Sequence, residues 1–237
     1  MNSIRLIFGA AAAIALGLSV NAASAATPIS WADLTAAPDG SNVSGTITAP
    51  SGTVNVQLNS DAPYEFANIN NTGTNYWTGS YTYNGAYNQP ATSDIVALGL
   101  ANTETITFSQ PVSDLFIALN SYNGASVTFS QPFSVASEGC GFWGCGTFVP
   151  NAGNTAFFGS GEAVGILEFS GPISSLTMTD TVGENWHGFT VGIADIATGT
   201  PEPSSWALLI VGLGAVGLVL RRSRKLAGLQ PSDAVAG

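Results

Sequence analysis

Cys140 and Cys145 are the only cysteines in this chain of 237 residues. Four residues separate them, in Gly139-Cys140-Gly141-Phe142-Trp143-Gly144-Cys145-Gly146. Two thiols so close together either close a small ring or begin a metal site. A metal site needs further ligands, and the chain offers one histidine, His187. In an oxidising compartment the ring, a Cys140–Cys145 disulfide, is the default. A loop this short is worth about 2 kcal/mol, the low end of the usual range. The same stretch spells G-x-G-x-x-G at Gly139, Gly141 and Gly144. A dinucleotide site needs a strand before that pattern and a helix after it, and Phe148-Val149-Pro150 does not open a helix.

His187 permits a Ser-His-Asp arrangement by count alone, but no G-x-S-x-G elbow is present. Trp186-His187-Gly188 reads as a strand entry, with the imidazole at an edge or in the core. Between residues 26 and 200 there is no Lys or Arg, so lysine chemistry is excluded there. The same stretch carries thirteen Asp and Glu. A pair of them could serve glycoside hydrolysis, yet nothing in their spacing places two together. The expectation is a protein that is not an enzyme, with no catalytic residue assigned. Asp61, Glu65, Asp94 and Asp180 are loop-edge carboxylates of the type that bind Ca²⁺ through oxygen. No D-x-D-x-D-G loop accompanies them, so no metal ligand is assigned and Ca²⁺ is left as a weak option beside no cofactor at all.

Tyr76, Trp77, Tyr81, Tyr83 and Tyr87 stand among Asn, Thr, Ser and Gly. Such rings can stack on the apolar faces of sugars while amides and hydroxyls bond to the sugar's own hydroxyls. They can equally cover one end of a core, and both readings stay open. The formal charge of the stretch from 26 to 200 is −13. A surface without cations cannot neutralise phosphate, which makes nucleic acid and anionic lipid poor partners, and no nucleic acid is expected. It suits an exported protein that meets polar polymers, extracellular polysaccharide among them.

The elements that must position these residues are strands. Val54, Val56 and Leu58 alternate with Asn55, Gln57 and Asn59, the period of a half-buried strand. Thr105 to Phe108, Asp114 to Asn120, Val127 to Phe129, Val164 to Phe169, Ile173 to Thr179 and Phe189 to Ile193 read the same way. Leu34 to Ala37 and Thr92 to Ala97 are each expected to form a short helical turn. One motif recurs, Phe108-Ser109-Gln110-Pro111, Phe129-Ser130-Gln131-Pro132 and Phe169-Ser170-Gly171-Pro172. It reads as a strand ending on an inward Phe, a turn fixed by Pro, and re-entry into a new strand. Unequal spacing rules out a solenoid. Corners of this type predict an all-β fold, a single jelly-roll-like β-sandwich over residues 26–200. An ice-binding face would want a flat, regular Thr array, and the Thr residues here fall in irregular pairs.

Two hydrophobic segments flank that domain. Residues 1–25 carry Arg5, an apolar run from Leu6 to Val20, and Ala23-Ser24-Ala25. This is the layout of a secretory signal peptide helix with cleavage after Ala25. Near the other end, Pro201-Glu202-Pro203-Ser204-Ser205-Trp206-Ala207 leads into a charge-free run to Leu220, then Arg221-Arg222-Ser223-Arg224-Lys225. A helix over the apolar run would be roughly 22 Å long against a bilayer core of about 30 Å. Ser204, Ser205 and the arginine stems can fill part of the difference. A basic cluster on one side and Trp206 on the other are membrane features. We therefore expect a C-terminal transmembrane helix over 204–220 and a cytoplasmic tail over 226–237.

Residues 201–225 resemble the PEP-CTERM sorting signal of Gram-negative bacteria, in Pro201-Glu202-Pro203, the glycine-dotted span and Arg221-Arg222. The same tail is also known as an ice-binding protein C-terminal domain. The resemblance implies an exosortase-type membrane enzyme as partner, removal of the tail after transient anchoring in the inner membrane, and delivery to the cell surface or extracellular matrix. The extension from Leu226 to Gly237 departs from the usual pattern. More loosely, Ser30-Trp31, Ile106 to Val112 with Leu115, and Trp186 to Gly192 resemble the β-rich domains that precede such tails. That resemblance implies no reaction. The function expected from the whole chain is structural or adhesive, in association with exopolysaccharide. The rival readings are a glycan- or Ca²⁺-binding module and a secreted carbohydrate-active enzyme.

Overall fold

The computed structural model describes residues 28–78 and 88–197. The signal peptide, the sorting tail with its expected membrane helix, and Tyr81, Tyr83 and Tyr87 lie outside the described residues. Within them the chain is all-β, with thirteen strands and no helix. These are β1 (Ser30–Trp31), β2 (Asp33–Ala36), β3 (Asn42–Ala49), β4 (Gly52–Ser60), β5 (Phe66–Asn68), β6 (Ile95–Leu98) and β7 (Asn102–Tyr122). They continue with β8 (Ser126–Phe129), β9 (Ser134–Glu138), β10 (Gly146–Pro150), β11 (Ala156–Gly161), β12 (Ala163–Asp180) and β13 (His187–Ile196).

β7 and β12 are far longer than an ordinary strand of five or six residues or so, and each serves two layers. The first half of β7 pairs with β4 and with the second half of β12, which also pairs with β8. Hairpin partners β3 with β2, and β11 with β10, extend that layer on either side. The second half of β7 pairs with β13 and with the first half of β12, which also pairs with β9. β6 and β5 extend this second layer. One cluster of buried side chains joins the layers, with Val56, Leu58, Ile106 and Leu176 from the first and Leu115, Ile117, Leu167, Phe189 and Val191 from the second. A β-sandwich fits this arrangement, with two strands shared between the layers.

The recurrent proline motif marks the crossings. Pro111 and Pro172 sit where the β7–β12 ladder shifts register, between Phe169 and Pro172 and again between Ile173 and Ser175. Gly171 holds φ at 99° there, and its N–H donates to Asp114 Oδ1 at 3.1 Å. The remaining copy, Phe129-Ser130-Gln131-Pro132, links β8, on one layer, to β9, on the other. Proline cannot donate to a ladder, so the crossings fall where a ladder shifts register or ends. The phenylalanines of the motif turn inward, and Phe129 and Phe169 meet edge to face at 5.0 Å.

Both expected helical turns are strands instead. Leu34 is buried in β2 and pairs with Gly45. Ile95-Val96-Ala97-Leu98 is β6, buried along its whole length. Its two faces belong to two packing clusters, Val96 and Leu98 to the main core and Ile95 to a second one on the outer face. A strand covered on both faces shows no period of two, which is why its pattern was ambiguous. Val164 to Phe169 and Ile173 to Thr179, which read as separate strands, are the two halves of β12.

Candidate functional site

A cleft of about 690 Å³ opens at one end of the domain. It is lined by Gly99, Ser121, Asn123, Trp143, Glu162, Gly183, Glu184, Asn185 and Trp186. These come from the β6–β7 turn, the β7–β8 turn, the β9–β10 loop, the β11–β12 turn and the β12–β13 loop. A second hollow of about 470 Å³ adjoins it, sharing Gly99, Glu184 and Asn185 and adding Pro63, Tyr64, Glu65 and Leu100.

The β9–β10 loop is the disulfide loop. The structure joins Cys140 to Cys145, and Gly141 N–H donates to Gly144 O at 2.7 Å across the ring. Gly141 lies so close over Val164 that a Cβ there would sit 2.7 Å from its methyl groups. Glycine is required by that approach, and the loop runs into a strand rather than a helix. Phe142 and Trp143 at its tip are 44% and 56% exposed. Trp143 meets Trp186 at 6.0 Å and 66°, and Tyr76 packs against Trp186 at 4.9 Å. Phe142 stands edge-on to both Trp143 and Tyr76. The result is a rim of four rings from three distant segments, with Trp143 the most exposed of them.

The floor is polar and acidic. Glu162 N–H donates to Cys145 O at 3.1 Å, which fixes the β11–β12 turn to the disulfide loop. The Glu162 carboxylate accepts from Ser121 Oγ and, at 3.0 Å, from Asn123 Nδ2. Ser121 holds φ at 63°, a left-handed conformation uncommon outside glycine. Glu184 accepts the Asn123 N–H on both oxygens, at 3.0 and 3.1 Å. Burial pushes Glu184 from its ordinary 4.5 up to about 8; the charges of Glu162 and Asp180 push the same way, and the Asn123 N–H opposes them. One asparagine thus bridges two carboxyl groups.

His187 lies below them, fully buried at the start of β13 and packed on the Tyr122 ring at 4.6 Å. Its Nε2 is 2.8 Å from Asp180 Oδ2 and its Nδ1 3.4 Å from Glu184 Oε1, close contacts whose angles fall outside hydrogen-bond geometry. The core reading of His187 fits this position.

The other residues singled out from sequence divide. Trp77 is fully buried in the outer-face cluster, and its Nε1–H donates to Asp94 O at 3.2 Å. It therefore offers no face to a sugar, and the indoles that line the cleft are Trp143 and Trp186, which no motif in the local sequence brings together. Tyr76, its neighbour, does reach the rim. The four carboxylates considered for Ca²⁺ are scattered. Asp94 is buried and accepts from Leu34 N–H and Asn71 N–H, Asp61 accepts from Thr103 N–H, and Asp180 lies against His187. Among the described residues no group of three or more His, Cys, Asp or Glu is placed to hold a metal ion.

The family model for the PEP-CTERM protein-sorting motif matches residues 200–225. This tail is a PEP-CTERM sorting motif. Pro201, Glu202, Pro203, Arg221 and Arg222 all fall inside the matched span, which begins one residue before the expected start. A PEP-CTERM motif implies an exported protein, sorted through the membrane by an exosortase. No curated protein and no solved structure matches the chain.

Proposed function

We propose that the β domain is the glycan-contacting part of an exported, exosortase-sorted protein of a Gram-negative cell surface or extracellular matrix. Its role is adhesive or structural, holding to extracellular polysaccharide through the Trp143–Trp186 cleft. The observation that carries this is the solvent-facing Trp143 at the mouth of a cleft lined with carboxyl and amide groups. An indole covers the apolar face of a sugar ring, and the polar floor meets its hydroxyls. The test is calorimetric titration of the purified full chain in detergent micelles with neutral oligosaccharides and with the host's own exopolysaccharide. Trp143→Ala is expected to weaken binding about tenfold, the cost of one stacking contact of about 1.4 kcal/mol. Equal affinity in the variant and the parent would remove the cleft from the reading.

One observation favours a second reading. Glu162 and Glu184 form a carboxyl pair in a single cleft, and Glu184 is held largely protonated at neutral pH, the division of labour of a glycoside hydrolase. Binding remains the better account because both Glu184 oxygens face the Asn123 amide and its side chain is only 15% exposed. Release of reducing ends from a bound oligosaccharide, abolished by Glu184→Gln, would reverse that order.

A further inference from the structure

We propose that the Trp143–Trp186 cleft selects amino-sugar polymers, whose rings carry free ammonium groups, over neutral and uronic-acid polymers. This rests on the glycan reading above and narrows it. The two indoles pack edge to face at 66°, which holds the exposed Trp143 ring as a rigid surface on which the flat face of a pyranose can stack. Glu162 lines the same cleft, half-buried, and accepts from Ser121 Oγ and Asn123 Nδ2. Its two oxygens have about four acceptor sites, so these two bonds leave capacity for an ammonium group. Glu65 lines the adjoining hollow and places a further carboxyl group where a second sugar would lie.

The rest of the domain reinforces the choice. No Lys or Arg occurs between residues 26 and 200. A uronic-acid polymer would therefore bring its carboxylates against Glu162 with no cation to offset them. A neutral polymer would gain the stacking contact alone. An amino-sugar polymer gains stacking and a charge-assisted hydrogen bond in a partly dehydrated cleft, where such bonds are strongest.

The experiment titrates the full chain in detergent micelles with four probes of equal length: a glucosamine hexamer, an N-acetylglucosamine hexamer, a uronic-acid hexamer and hexalysine. The glucosamine hexamer is expected to bind about tenfold tighter than its acetylated form, the worth of one charge-assisted bond near a surface. The uronic-acid hexamer should show no binding. Glu162→Gln should close the gap between the first two probes, with an unchanged near-ultraviolet circular dichroism spectrum reporting that the variant is folded. Equal or tighter binding of the acetylated hexamer would overturn the selectivity and leave the glycan reading intact. Hexalysine binding as tightly as the glucosamine hexamer would overturn it too, by showing recognition of charge without the ring. Failure of every sugar probe would bring down the glycan reading and this inference with it.

Discussion

Glu104 provides the sharpest test of how a domain without cations handles its carboxylates. It lies in β7 and is completely buried. Its Oε2 accepts from the Tyr64 hydroxyl at 2.9 Å. Burial pushes it from 4.5 up to about 8, hydrogen bonds from Tyr64 and Ser60 pull the other way, and the nearby charge of Asp61 adds a little to the rise. With no Lys or Arg in the domain, ionisation of Glu104 has no ion-pair partner. The folded state then holds its proton more tightly than the unfolded chain. The Glu104 contribution to stability is greatest below about pH 4.5, falls as pH rises from there to about 8, and levels off above. At about 1.4 kcal/mol per pH unit, the loss comes to about 3 kcal/mol at pH 7 and about 5 kcal/mol at pH 9. Glu104→Gln keeps an acceptor for Tyr64 and removes the titration. Urea unfolding of both proteins in detergent, followed by tryptophan fluorescence from pH 4 to pH 9, measures the difference. Glu184 titrates in both proteins and cancels. The variant should match the parent near pH 4.5 and exceed it by several kcal/mol at pH 9. A difference that stays constant across that range would refute the assignment of a buried, proton-holding Glu104.

Two further perturbations test other parts of the molecule. Cys140→Ser with Cys145→Ser opens the loop that carries Trp143, so it should cost about 2 kcal/mol in denaturant unfolding and weaken oligosaccharide binding. Loss of stability with unchanged binding would show that the rim does not need the disulfide. Pro201→Ala with Glu202→Ala should block removal of the tail and leave the protein with the membrane fraction of its native host, read by mass and fractionation. Normal processing of that variant would sever the tail from exosortase recognition.

Much of the fold was legible because alternation survives wherever one face of a strand is wet. Val54, Val56 and Leu58 are buried and Asn55 and Gln57 exposed, as their types dictate. The proline corners were legible because proline fixes a backbone angle and removes a donor irrespective of context. β6 was not, because burial on both faces erases the period. Nor was the unity of β12, since a strand that bends at Pro172 reads as two. The cleft was legible only in fragments. Its lining comes from five segments whose meeting depends on long-range pairing, and Glu162 and Glu184 carry no local mark. One signal was available for Trp143. Two aromatic residues inside a six-residue disulfide ring flanked by glycine have little backbone from which to reach a core. Tyr76 and Trp77 show the converse, adjacent rings of similar type that go to the rim and to the interior.

The shared strands bear on how such a chain leaves the cell. β7 spans residues 102–122 and its main partner, β12, spans 163–180. Each layer contains one half of that ladder, so neither layer can be completed from the residues before β12. Closing a loop of this length precedes any reward from the pairing, which slows such topologies. A chain translocated from its N-terminus therefore has no finished layer until most of the domain is across. The bent ladder that unites the sandwich also delays it, so the domain closes late in the passage of the chain.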